Sequence, residues 1–317
     1  MSFVNKKTKI VAVVGPTASG KTSLSIELAK RFNGEIISCD SMQVYREMNI
    51  GTAKPDEVEM DGVKHHMLDF ADPKSVYTCA DYVRDAKEII AQIVSNGKVP
   101  IICGGTGLYL DSLLRGGSFE ETDTDPAYRA ELEKLALEKG NEFIHGMLAE
   151  VDPESAAAIH FNNRKRVIRA LEIYKCSGVT KSELDKKSRE PESEYDCLTI
   201  GLRFVNREEL YDRINRRVDI MMEMGLEEET RLLLESGVFE SNGTAKQAIG
   251  YKELLGYIKG EMSRDDAVEQ LKMATRRYAK RQMTWFSAHG NVNWIDIEEY
   301  NFKNIYNIAS NLFINFK

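Results

Sequence analysis

Short apolar runs, glycine-marked turns and amphipathic helical stretches alternate along the first third of the chain. Residues 9–14 form one apolar run, stopped at Gly15-Pro16, and the stretch 21–32 carries Leu24, Leu28 and Phe32 at four-residue spacing, which predicts a strand and then a helix. Residues 35–39 are a second buried run that ends at Asp40. An amphipathic pattern over 80–95 is ended by Asn96-Gly97, a third strand over 99–103 breaks at Gly104-Gly105, and a helix is expected over 106–114. This order predicts an α/β fold with a parallel sheet flanked by helices.

Further along, Leu198, Ile200, Leu202 and Phe204 alternate as a strand does, and residues 292–297 read as a late strand. Between these and the opening lies a helical middle, with patterns over 126–138 and 163–176. Gly116-Gly117 marks its start and the polar stretch 188–196, with Pro191, its end. The expected organisation is a core of residues 1–117 and 196–317 with an inserted all-helical domain over 118–195.

No apolar stretch reaches the roughly 18 residues of a membrane span. Cys39, Cys79, Cys103, Cys176 and Cys197 are odd in number and widely spaced, with no C-x-x-C pair, so neither a disulfide framework nor a zinc site is indicated and a reducing cytoplasm fits. With 43 Lys and Arg against 50 Asp and Glu, the net charge of −7 argues against a non-specific nucleic-acid coat. That total hides a polarised middle: acids outnumber bases eleven to three over 119–154, whereas 160–190 has nine bases and four acids. On a helix from Asn163, Lys165, Arg166 and Arg169 cluster opposite Val167, Leu171 and Tyr174. Over 265–286, Lys272, Arg276, Arg277, Lys280 and Arg281 line one broad side and Leu271, Tyr278 and Trp285 the other. One such stripe is usually an ordinary solvated face; two make a phosphate-backbone partner more plausible.

The most specific local signal is Gly15-Pro16-Thr17-Ala18-Ser19-Gly20-Lys21-Thr22, a G-x-x-x-x-G-K-[ST] run between a predicted strand and helix. Its backbone N–H groups and helix N-terminus suit phosphate oxygens, Lys21 adds positive charge, and the Thr22 hydroxyl can ligate Mg²⁺. Such a loop takes a di- or triphosphate without saying what becomes of it. Asp40 closes a strand expected beside the P-loop strand, at the carboxyl edge where open α/β sheets bind ligands, and could hold Mg²⁺ or act as a base. Gly104-Gly105-Thr106-Gly107 follows the third strand at the same edge. There is no [NT]-K-x-D guanine-reading element, and His65-His66 lacks a suitably spaced Cys or His to complete a metal site, which favours a structural or hydrogen-bonding role.

Seven blocks, in order, resemble the tRNA dimethylallyltransferases (tRNA isopentenyltransferases): G-P-T-A-S-G-K-T (15–22), D-S-M-Q-V-Y (40–45), N-I-G-T-A-K-P (49–55), H-H-M-L-D (65–69), G-G-T-G-L-Y (104–109), I-G-Y-K-E (249–253) and T-R-R-Y-A-K-R-Q-M-T-W-F (275–286). They span most of the chain. The resemblance implies transfer of a dimethylallyl group from dimethylallyl diphosphate to N6 of the adenine 3′ of a tRNA anticodon, with pyrophosphate leaving and Mg²⁺ assisting. It makes the P-loop a prenyl-diphosphate cradle and Asp40 the base, with Thr17, Lys21 and Arg217, the last from R-I-N-R-R at 213–217, stabilising the leaving group. The family extrudes the target base into a channel. Its RNA-contacting positions match Asp40, Ser41, Met42, Gln43, Thr106, Arg129, Lys165, Arg166, Val167, Ile168, Arg169, Gln247, Ala248, Ile249, Gly250, Tyr251 and Lys252.

The C-terminal zinc finger of eukaryotic members has no Cys-His counterpart here, so the chain resembles the bacterial form, expected as a cytoplasmic monomer. Three other functions share parts of the pattern. A prenyltransferase acting on free adenylate would keep the P-loop and Asp40, a small-molecule kinase only the P-loop, and a non-catalytic RNA-binding module only the basic faces.

Overall fold

In the computed structural model the described residues are 7–115, 124–188, 192–288 and 291–316. Two compact units emerge, one formed by Met1–Leu114 with Tyr195–Lys317, the other by Arg115–Glu194. The expected junction at Gly116-Gly117 and the Pro191 turn lie outside the described residues.

The first unit is built on six strands: β1 (Thr8–Val14), β2 (Gly34–Ser38), β3 (His65–His66), β4 (Val99–Cys103), β5 (Tyr195–Arg203) and β6 (Val292–Asp296). All pair in parallel, in the order β3-β2-β4-β1-β5-β6. β5 joins β1 over seven residue pairs from Thr8↔Tyr195 to Val14↔Gly201, so after the helical unit the chain returns to pair beside the P-loop strand.

The near-continuous apolar runs follow from burial on both faces. Val11 and Val13 pack on one side with Leu24, Leu28 and Ile214, and Ile10, Ala12 and Val14 on the other with Tyr82, Ile90 and Phe286. A third apolar cluster, including Tyr45, Met48, Leu226, Tyr251 and Leu271, gathers helices near the carboxyl edge.

Local chemistry sets the helix ends. Thr78 and Asp81 form a reciprocal cap, which starts the helix at Cys79. Ser263 accepts from Asp266 N at the head of the 24-residue helix Arg264–Ser287.

One sequence expectation is corrected here. β2 does not lie beside β1, because β4 pairs with both. Asp40 therefore shares a cavity with the P-loop across the end of β4, where Gly104 lets the chain pass close to Cys39, a Cβ there standing 2.1 Å from Cys39 O.

The second unit has its own core of Leu132, Ile144, Leu148, Val167, Ile168 and Leu171, contributed by helices Pro126–Lys139, Asn141–Val151 and Arg164–Ser177.

Candidate active site

The carboxyl ends of β1, β2 and β4 open into a cavity of about 380 Å³. Thr17, Lys21 and Thr22 line one part, Asp40 to Gln43 another, and Cys103 to Gly105 lie between. Gly51 to Ala53, Gln247 to Gly250, Arg217, Tyr278, Arg281 and Gln282 also line it.

The P-loop forms because β1 must turn sharply into the helix Lys21–Phe32. Lys21 Nζ folds back to donate to Pro16 O at 2.6 Å. Burial pushes its ammonium down to about 8, Arg217 adding to the shift and Cys103 and Asp40 opposing it. Ser19 Oγ is buried with no hydrogen-bond partner among the described residues, an orphan hydroxyl in a loop suited to phosphate oxygens. Arg217 also faces a shallower recess of about 420 Å³ with Ala18, Gly20, Arg213, Arg216 and Ile220, so arginines from the helix Arg207–Glu223 flank the loop.

Asp40 Oδ1 accepts from the backbone N–H of Met42 at 2.9 Å and of Gln43 at 3.3 Å. Burial nevertheless raises its carboxyl above the ordinary range, against the pull of those amides, Lys21 and Arg217. Ser41 N donates to Thr106 Oγ1 at 3.2 Å, which fixes the chain just after Asp40. Gln43 lines the cavity with its amide tied down: Nε2 donates to Thr52 O and Ala53 O, and Oε1 accepts from Ser38 Oγ.

The residues expected to meet RNA divide. Asp40, Ser41, Met42, Gln43, Gln247, Ala248, Ile249 and Gly250 line the cavity. Tyr251 is fully buried and its hydroxyl donates to Glu229, so its side chain belongs to the core, whereas Lys252 is exposed. In the helical unit Lys165 and Arg166 are exposed but Val167 and Ile168 are core residues, because each residue turns about 100° around the helix and two steps carry a side chain to the other side. Tyr174, expected with the apolar set, is exposed. Arg129 and Arg169 both bind the fully buried Glu172, at 2.8 and 2.5 Å.

The basic stripe of the helix Arg264–Ser287 also divides. Lys272 pairs with Asp219 and Arg276 donates to Asn215, leaving Arg277, Lys280 and Arg281 exposed. His66 Nε2 meets Glu35 at 2.6 Å, and among the described residues no group of three or more His, Cys, Asp or Glu is arranged to hold a metal.

Two functional side chains escape sequence reasoning. Gln282 bridges the two glycine-rich loops, accepting from Thr17 N at 2.9 Å and donating to Gly105 O at 3.1 Å. A Cβ on Gly105 would stand 1.9 Å from Gln282 Nε2, so glycine is what lets the helix approach so closely. Glu229 holds the backbone of residues 49–51. Gln282 sits inside one of the matched blocks and Glu229 in none, and neither carries a local signal of these partners; only the fold brings them together.

The P-loop residues and the Asp40 carboxyl share one cavity at the carboxyl edge of a parallel sheet, the usual ligand site of open α/β folds, and the matches to known proteins give that site its class, a transferase. The family model described as IPP transferase matches residues 43–289. tRNA dimethylallyltransferases of Acetivibrio thermocellus and Bacillus cytotoxicus are 50% and 51% identical, over 92% and 93% of this chain and 92% of each relative. The solved tRNA isopentenylpyrophosphate transferase from Bacillus halodurans superposes with a TM-score of 0.72 at 44% identity, covering 98% of both chains. A eukaryotic dimethylallyltransferase acting on tRNA gives 0.78 at 30% identity, over 97% of this chain and 80% of that one. The chain belongs to the tRNA dimethylallyltransferase family.

Proposed function

We propose that the protein transfers a dimethylallyl group from dimethylallyl diphosphate to N6 of the adenine 3′-adjacent to the anticodon of tRNA. The observation that carries this reading is that Asp40 and Lys21 line one cavity from opposite sides of the β4 end. The P-loop amides, Lys21 and Arg217 receive the diphosphate, and Asp40 receives the proton of the attacking amine. As the N6–C1 bond forms, the allylic C1–O bond breaks and pyrophosphate departs into the cationic cradle.

An exocyclic amine conjugated with its ring is a weak nucleophile, so a carboxylate with a raised pKa is well matched to take its proton. Negative charge grows on the leaving group, and Thr17, Lys21 and Arg217, which line the same cavity, would stabilise it. Thr22 lines the cavity, and the orphan Ser19 hydroxyl fits a loop built for a bound anion. Mg²⁺ would be held by Thr22 together with diphosphate oxygens and would supply further charge neutralisation, a mode that needs no protein carboxylate cage.

RNA binding is assigned to the exposed Lys165 and Arg166, with Arg129 and Arg169 oriented by Glu172. The test is nucleoside mass spectrometry of tRNA with adenines at the last anticodon base and its 3′ neighbour, after incubation with protein, donor and Mg²⁺. Prenylated adenosine in tRNA is expected. Its absence, or prenylation of free AMP in preference to tRNA, would overturn the reading.

A further inference from the structure

Glu229, on the helix Leu226–Glu235, is separated by about 180 residues from the segment it holds. Its Oε2 accepts from the backbone N–H of Asn49 at 3.0 Å and of Ile50 at 2.8 Å. Its Oε1 accepts from Gly51 N at 3.0 Å and from the Tyr251 hydroxyl at 2.7 Å. Three successive amides on one carboxylate are a nest closed around an anion, and they leave the segment a single conformation. A Cβ on Gly51 would meet the Tyr251 ring at 2.5 Å, so the segment lies flat against that buried ring.

The consequence appears in the next two residues. Thr52 and Ala53 line the cavity, and their carbonyls accept from Gln43 Nε2 at 3.1 and 3.0 Å. A primary amide has two N–H donors, and both are then committed. Two carbonyls facing one end of the amide fix which end is nitrogen. The other end, Oε1, accepts from Ser38 Oγ at 3.1 Å and keeps a second lone pair. Gln43, which lines the cavity, thus has only acceptor capacity left to offer.

We infer that Glu229 is a positioning residue that clamps residues 49–51, holds Gln43 as an acceptor, and so selects a nucleobase presenting an exocyclic amine over one presenting a carbonyl. The inference rests on the reading that a nucleobase enters this cavity. An amine N–H satisfies the free lone pair of Gln43, whereas a carbonyl at the same place opposes it with a second acceptor and leaves both unpaired.

The test compares the wild type with Glu229→Gln, Glu229→Asp and Tyr251→Phe. Binding of anticodon stem-loops carrying adenosine or inosine at the target position, binding of inorganic pyrophosphate, and steady-state prenyl transfer are each measured. Glu229→Gln places an NH₂ against backbone donors. Its kcat/KM for RNA should fall about 10- to 100-fold, the scale on which charge-assisted hydrogen bonds act. Its preference for adenosine over inosine should narrow while pyrophosphate affinity stays unchanged. Tyr251→Phe should move the same quantities less, and Glu229→Asp should restore part of the activity.

A merely structural Glu229 would instead lower RNA and pyrophosphate binding together, or leave the adenosine preference intact, and either result overturns the inference. A wild type that prenylates no tRNA fails the proposed function. The stem-loop binding preferences still decide the clamp in that case.

Discussion

Gln282 and Thr17, 265 residues apart, meet at 2.9 Å, the P-loop amide donating to the side-chain oxygen. The same side chain reaches Gly105 O, so one buried amide ties the diphosphate cradle to the loop beside Asp40. Gln282→Ala leaves both backbone groups without partners and frees the P-loop to drift. The KM for dimethylallyl diphosphate should rise and kcat/KM fall about 10- to 100-fold in donor-saturation kinetics, the cost of orphaning one buried and one part-buried group. Gly105→Ala, whose methyl would strike Gln282, should reproduce the pattern. Unchanged donor kinetics in both variants would remove the bridge from the mechanism.

Asp40→Asn keeps the shape of the side chain and the acceptor for Met42 and Gln43 while removing the base. Turnover should drop by about 10²- to 10⁴-fold, the usual worth of general-base assistance. The affinity for tRNA, measured by filter binding, should hold. A variant that retains near-normal single-turnover rates would show that the amine loses its proton elsewhere.

The two perturbed groups give the pH profile a definite shape. Asp40 must be ionised, and burial raises its carboxyl, so kcat/KM should climb with pH through a range above that of an ordinary carboxylate. Lys21 must be protonated, and burial brings it down to about 8, so donor capture should decline as pH passes that value. The expected curve is a bell in kcat/KM for the donor, which reports the free enzyme. Pyrophosphate binding should weaken on the alkaline side in parallel. A flat profile from about pH 6 to 9 would separate these groups from the chemistry.

What the sequence makes legible is whatever has a local signature. Strands β1, β2 and β4 are apolar runs buried on both faces, and the P-loop has fixed spacing, so both are readable within a few residues. β3 is two half-buried histidines, too short and too polar to show a period. The pairing of β4 between β2 and β1 is invisible to pattern, because parallel neighbours are chosen by tertiary packing. Gln282 and Glu229 act across 265 and about 180 residues, and no local spacing announces such long-range bonds. Val167 and Ile168 show the converse: they fall in a run of positions expected to contact RNA, yet the helical period turns their side chains into the core.

That period sets up a contrast between neighbours on one helix. Lys165 and Arg166 are exposed cations on Arg164–Ser177, while Ile168 is 2% exposed and packs in the core of the helical unit. If the exposed pair faces RNA phosphates, Lys165→Ala or Arg166→Ala should weaken tRNA binding at low salt and make the slope of log K against log salt shallower by about 0.7 to 0.9 for each phosphate no longer neutralised. Pyrophosphate affinity and thermal stability should not move, since surface substitutions usually change stability by less than about 0.5 kcal/mol. Ile168→Ala should do the reverse, costing about 2–5 kcal/mol of stability through the cavity it leaves. Its salt slope should match the wild type wherever the protein stays folded. Salt titrations and thermal melts on the three variants separate the two effects. A shallower slope for Ile168→Ala, or an unaltered one for Lys165→Ala and Arg166→Ala, would mean that the RNA lies on a different face.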